Sequence, residues 1–338
     1  MGKRIIYCAD GTWDSSASNT NVYILYKALK TTAQQQPFYD DGVGADGNLF
    51  LKLTGGAFGL GLWLAVKKGY TAIAQVYEEG DEVFLFGFSR GAYTARSIGG
   101  MIAAVGLPPG TFDDSLVEEA FTAYRDRDHR ADILASLAKY RLANATIKMI
   151  GVWDTVGSLG IPAMFGGVDP LLYGFLDTAL HPDVQHACQA LAIDERRAEF
   201  PATLWTSPPA SGQTIEQVWF SGVHCDVGGS YPETGLSDIT LSWMMNKGKA
   251  LGLAFEDAAW ARYGTIDPKH ALDAIHESWT AAWLFPRHRP IDANATVANS
   301  VVVRCRHDPH YRPSNLTLDA SGAPVGYAID PIVANPPS

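Results

Sequence analysis

Cysteine is scarce: four residues in 338, at Cys8, Cys188, Cys225 and Cys305. They form no CxxC pair, which excludes a zinc ribbon and a disulfide-stapled scaffold. No run of about 18 apolar residues occurs, so no membrane-spanning helix is expected. The longest candidate, Leu53 to Val66, is short and glycine-rich. It reads as the start of a buried helix, with a lipid-facing surface as the second reading. Basic charge is also in deficit: 26 Lys and Arg against 36 Asp and Glu give a net charge of −10. That balance argues against a nucleic-acid partner, which requires a basic face.

Several motifs are missing as well. There is no GxxxxGK[ST] phosphate loop and no HExxH metal pair. The stretch GLGLWLAV (59–66) lacks the third glycine of a dinucleotide fingerprint. The opening MGKRIIYCADGT has no signal-peptide apolar core, and Ile6 stands where a myristoylation pattern needs Ser or Thr. No Sec signal, cofactor or metal is expected from these features.

Apolar residues make up 47% and charged residues 18%, which supplies a large core. Short apolar runs alternate with helical patterns, the signature of an α/β fold with a mostly parallel sheet and helices on both faces. Strands are predicted at Arg4–Ala9, Pro37–Asp40, Glu82–Gly87, Thr146–Trp153, Thr203–Thr206 and Glu216–Phe220. Helices are predicted at Asn19–Thr32, Phe58–Glu78, Gly91–Val105, Asp114–Asp126, Arg130–Leu142, Asp183–Glu195 and Leu236–Leu251. Without repeats or a linker, residues 1–338 read as a single α/β-hydrolase-like domain. Residues 157–180, rich in Gly, Pro and large apolar side chains, are either a core connection or an apolar cap over a pocket.

The strongest local signal is Gly87-Phe88-Ser89-Arg90-Gly91, a GxSxG between a buried strand and a small-residue helix. That context fits a nucleophile elbow, with Ser89 lifted above the sheet and the Arg90 N–H facing a developing oxyanion. A serine hydroxyl needs a base, and the base an orienting acid. In this architecture the order is Ser, acid, His. Asp154, at the end of the strand TIKMIGVW, and His224, in the glycine-rich run SGVHCDVGG, follow in that order. His307 and His310 are the rival bases. Gly11 and Thr12, at the first strand end, are assigned as further oxyanion donors. Asp10 is read as a carboxylate that pins its turn, pairs with Arg90 or binds a metal, and Asp226 as a supporting residue. Asp194-Glu195-Arg196-Arg197 reads as a charge network at a helix end that fixes the following strand.

Taken together, these segments are familiar. The chain resembles the α/β-hydrolase domain family whose best-known members are type VI secretion phospholipase effectors. The resemblance rests on Asp10–Trp13 (DGTW), Gly87–Arg96 (GFSRGAYTAR), Val152–Ser158 (VWDTVGS), Ala192–Trp205, Trp219–Tyr231 and Tyr311–Leu316. It implies a triad of Ser89, Asp154 and His224, hydrolysis of lipid esters, contact with a membrane surface, and export by a type VI-like route. Secreted effectors of this family are longer, so the core chemistry carries over better than the phospholipid substrate does.

The reading of the residues is a serine carboxylic-ester hydrolase acting on an acyl ester or phospholipid through an acyl-enzyme. Besides a peptidase or thioesterase that uses the same triad, two other classes remain open at this point. One is a metal-dependent phosphoesterase with Asp10, Asp154, His224 and Asp226 as hard ligands. The other is a non-catalytic binding or scaffold protein.

Overall fold

Eight strands form one sheet in the computed structural model, which describes residues 2–11, 19–42, 57–156, 179–283 and 285–333. The strands are β1 (Arg4–Ala9), β2 (Gln35–Asp40), β3 (Glu82–Phe88), β4 (Thr146–Trp153), β5 (Val184–Ala192), β6 (Thr214–Phe220), β7 (Thr296–Ala298) and β8 (Ala328–Asp330). Their order is β2-β1-β3-β4-β5-β6-β7-β8, and every neighbouring pair is parallel.

A parallel sheet needs crossover connections, and these cover both faces with helices. The central strands are accordingly apolar on both sides. Ile5, Tyr7, Val83, Leu85, Ile147 and Ile150 face α2 (Ala57–Ala74), α3 (Arg90–Val105) and α4 (Asp114–Arg125). Ile6, Cys8, Phe84, Phe86, Phe88 and Met149 face the opposite layer. That layer includes α1 (Asn21–Ala28), α7 (Gly235–Ala250), α8 (Asp257–Tyr263) and α9 (Asn299–His307). Two shorter helices are α5 (Arg130–Ser136) and α6 (His224–Gly228). Among the described residues no helix is long and apolar enough to cross a membrane.

Most expected elements are present within a few residues. Thr20 caps α1, its side chain accepting from the Tyr23 N–H. Two expectations fail. The predicted helix Asp183–Glu195 is the interior strand β5. Its sequence, VQHACQALA, holds good helix formers, and a strand covered on both faces shows no alternation to reveal it. The predicted strand Thr203–Thr206 forms no ladder; it runs as a loop after a single bridge between Val156 and Ala202. The candidate cap falls almost wholly on residues 157–178, outside the described residues.

The strand-to-helix turn at 87–91 has no room for side chains at its two glycines. A Cβ on Gly87 would stand 2.3 Å from the Gly91 carbonyl oxygen, and one on Gly91 would stand 2.1 Å from that of Ala9. Both obstacles are backbone. Gly91→Ala is therefore expected to destabilise the fold by roughly 1–3 kcal/mol or more, measured as a lower urea midpoint.

Candidate active site

The elbow holds Ser89 in a conformation that L-residues rarely adopt, with φ 58° and ψ −118°. Such strain persists only where the surroundings enforce it. Here β3 ends at Phe88, α3 begins at Arg90, and the Ser89 N–H is tied to the Trp153 carbonyl at 3.1 Å. That bond places the serine beside the end of β4. Because α3 starts at Arg90, the Arg90 N–H belongs to the first turn, whose donors have no intrahelical acceptor.

Asp154 is the next residue along from Trp153. It too has a left-handed backbone, φ 41°, and its side chain is fully buried. Its Oδ2 lies 2.6 Å from His224 Nδ1. A buried Nδ1–carboxylate contact fixes the tautomer and leaves Nε2 as the nitrogen that can take a proton. His224 opens α6 just past β6, in a short helix rather than the expected glycine-rich loop. Its ring packs 4.6 Å from that of Phe88, the residue before Ser89, and edge-on to Phe200 at 5.2 Å. Three strand ends (β3, β4 and β6) thus bring Ser89, Asp154 and His224 to one end of the sheet.

The sequence reading missed the residue that completes this arrangement. Arg289, itself buried, grips Asp154 with both ends of its fork: Nη1 to Oδ1 at 2.6 Å and Nη2 to Oδ2 at 2.9 Å. The Ala192 N–H adds a third bond to Oδ1 at 3.0 Å, while Arg289 also donates to the carbonyls of Ala192 and Phe200. Burial alone would raise the carboxyl pKa. The charge of Arg289 and the His224 contact outweigh it and hold Asp154 far below the usual carboxylate range. For His224, burial lowers the pKa despite the opposing pull of Asp154.

A second missed residue is His276. Its Nδ1 lies 2.6 Å from Asp226 Oδ1, its Nε2 3.2 Å from Glu233, and its ring stacks on Tyr231 at 3.8 Å. Asp226 also accepts the N–H groups of Val223 and His276, so it fixes the entry to α6. Burial would lower the His276 pKa; its bonds to Asp226 and Glu233 outweigh that and raise it. The charged segment 194–197 does form a network. Glu195 receives Arg197, the Ser278 hydroxyl and the His224 N–H, and Asp194 receives the Gly222 N–H and the Tyr311 hydroxyl. Its effect is to anchor α6 and the 273–280 loop, not a following strand.

Asp10 is held in its own loop. Its carboxylate accepts the Gly11 N–H at 2.9 Å, the Tyr39 hydroxyl at 2.9 Å and the Thr20 hydroxyl. Burial raises its pKa against those three bonds. The Gly11 N–H is therefore already engaged, and Thr12 lies outside the described residues. The four residues considered as metal ligands divide into separate contacts: Asp10 with Thr20 and Tyr39, Asp154 with His224 and Arg289, Asp226 with His276. Among the described residues no three His, Cys, Asp or Glu side chains converge as a metal site would require. The rival base His307 donates from Nδ1 to the Val303 carbonyl, within its own helix α9.

The chain is 28% identical over 236 residues to the uncharacterized protein YEL023C of Saccharomyces cerevisiae, a match spanning 62% of this chain and 33% of that protein. A crystal structure of an uncharacterized protein from Pseudomonas aeruginosa aligns at TM-score 0.48 and 17% identity, over 77% of this chain and 47% of that one. The Tle1 effector, in a structure bound to the VgrG spike of the type VI secretion system, aligns at TM-score 0.36 and 16% identity, over 68% and 51%. The chain thus spans about a third of the yeast relative and about half of each structure. The sequence model of the Tle1-like phospholipase effector catalytic domain of type VI secretion matches residues 3–247, most of the chain, and the chain belongs to that family.

Proposed function

We propose that this protein is a serine hydrolase of lipid carboxylic esters, with Ser89 as nucleophile, His224 as base and Asp154 as the group that orients it. The observation that carries the reading is the buried 2.6 Å contact between Asp154 and His224, formed beside the strained Ser89 turn. In the proposed reaction Ser89 Oγ attacks the acyl carbon and His224 takes its proton. The Arg90 N–H stabilises the tetrahedral oxyanion, an effect worth roughly 2.7–4 kcal/mol per donor in such sites. Collapse of the intermediate passes the proton to the leaving alcohol and leaves an acyl-enzyme. A water, deprotonated by His224, then releases the acid and restores Ser89. Gly11 would serve as a second donor only by giving up its bond to Asp10.

Membership of the phospholipase effector family supports a phospholipid as the substrate and a type VI route of export. Contact with the membrane surface during turnover follows from such a substrate. The test is incubation with phospholipid vesicles, with fatty acid release measured before and after treatment with a fluorophosphonate. Release that stops as Ser89 becomes labelled supports the reading. Release that persists with Ser89 fully labelled excludes it.

The environment of His224 predicts a pH profile. Burial favours the neutral imidazole, which is the active base, so the folded pKa lies below 6.5. The acid limb of kcat/KM is expected below pH 6.5, read from ester hydrolysis between pH 4 and 9.

A further inference from the structure

Away from Ser89, on the layer of α3, α4 and α5, lies a cavity of about 140 Å³. It is close in size to a cavity that holds a benzene ring, about 150 Å³. None of Ser89, Asp154 and His224 lines it. Its charge is unlike that of the rest of this acidic chain. Arg96, Arg127 and Arg130 all enter it, together with His181, and among the described residues no carboxylate lines it.

Arg96 is the informative member. It is 6% exposed, and its guanidinium stacks on Trp205 at 4.4 Å. One nitrogen, Nη1, donates to the Thr203 carbonyl at 2.7 Å and to Gln189 at 3.3 Å. The other two, Nε and Nη2, are buried without any hydrogen-bond partner. Burial pushes its pKa down to about 9, against a smaller opposing pull from Tyr93. A buried cation with unmet donors is costly unless something anionic completes it. Arg130 is fixed at the mouth by the Ala123 and Tyr124 carbonyls, each 2.9 Å away, and Arg127 stands exposed at the rim. Guanidinium forks match the oxygens of carboxylates and phosphates alike. Three guanidinium charges around one small cavity favour the dianion over the monoanion.

We propose that this cavity is a phosphate-binding site, separate from the Ser89 elbow, which holds a free or singly esterified phosphate group between Arg96, Arg127 and Arg130. The ligand seats its oxygens against the three guanidinium groups that line the cavity.

The test is isothermal titration of the full chain with inorganic phosphate, sodium glycerol 3-phosphate and sodium acetate at constant ionic strength. Saturable one-site binding of phosphate, absent with acetate, is expected. Arg127→Gln, at an exposed position, should weaken it about tenfold or more, and Arg96→Lys should weaken it further. The exposed control Arg306→Gln should bind as the parent does. Tighter binding of glycerol 3-phosphate than of phosphate would assign the ligand to a glycerophosphate headgroup. Equal binding would assign it to the free ion. Absence of saturable binding by both phosphates, or parental affinity in Arg127→Gln, overturns the proposal even if Arg96→Lys fails to fold.

Discussion

Ser89→Ala is expected to lower ester hydrolysis by roughly a million-fold while leaving the protein folded, because the nucleophile of such a unit cannot be replaced by the remaining members. The measurement pairs turnover of a short-chain p-nitrophenyl ester with circular dichroism. Stability offers an independent check on the elbow. At φ 58° an alanine bears the same strain as the serine, so Ser89→Ala should sit within about 1 kcal/mol of the parent. Ser89→Gly relieves a strain of order 1–3 kcal/mol, partly offset by the greater freedom of the unfolded chain. The glycine variant should therefore be the more stable of two equally inactive proteins. Retained turnover in Ser89→Ala would remove the serine mechanism outright.

Arg289→Gln is expected to have the largest effect on stability. It leaves the fully buried Asp154 carboxylate with His224 and the Ala192 N–H but without its fork of positive charge. Removing one partner of a buried ion pair costs about 3–5 kcal/mol. The sign with pH follows from the direction of the Asp154 shift. Its folded pKa lies below the unfolded value of about 3.9. The stabilisation is thus fully present above that value and is lost as pH falls towards the folded pKa. The gap in stability between the parent and Arg289→Gln should narrow in acid. A second readout separates positioning from mere support of the fold. Without the guanidinium, Asp154 attracts a proton on His224 more strongly, so the acid limb of kcat/KM should move to higher pH. Glu195 and Arg197 also act on His224, and both remain in the variant. An unchanged limb in a folded variant would show that Arg289 supports the fold alone.

Ser89, Asp154 and His224 were legible because each stands at or just past the end of a short apolar run. In a parallel sheet such ends gather on one side, so local pattern alone brought them together. Arg289 was not legible. It lies 135 residues from Asp154 in a stretch of Arg, His and Pro that has no periodicity, and its role exists only through the tertiary contact. His276 escaped for the same reason, reaching Asp226 across 50 residues. The strand β5 was misread on local grounds. Gln189 and the alanines of VQHACQALA favour a helix, and burial of Gln189 against Arg96 and Thr155 overrides that preference. Gly11 illustrates a different limit. Spacing put an N–H at the strand end, but spacing cannot say that the neighbouring Asp10 has already taken it.

The clamp on Asp154 also has a consequence for the order in which the chain is made. The match to the family model ends at residue 247, yet the guanidinium that neutralises Asp154 arrives at residue 289. Synthesis proceeds from the N-terminus, so the aspartate and the histidine leave the ribosome while their counter-charge is still unmade. During that interval β4 cannot close over the carboxylate without burying an unpaired charge. The pair is completed only once the late segment has docked between the ends of β4 and β5. The contact between Asp154 and His224 therefore gains its balancing charge only after residue 289 has been made.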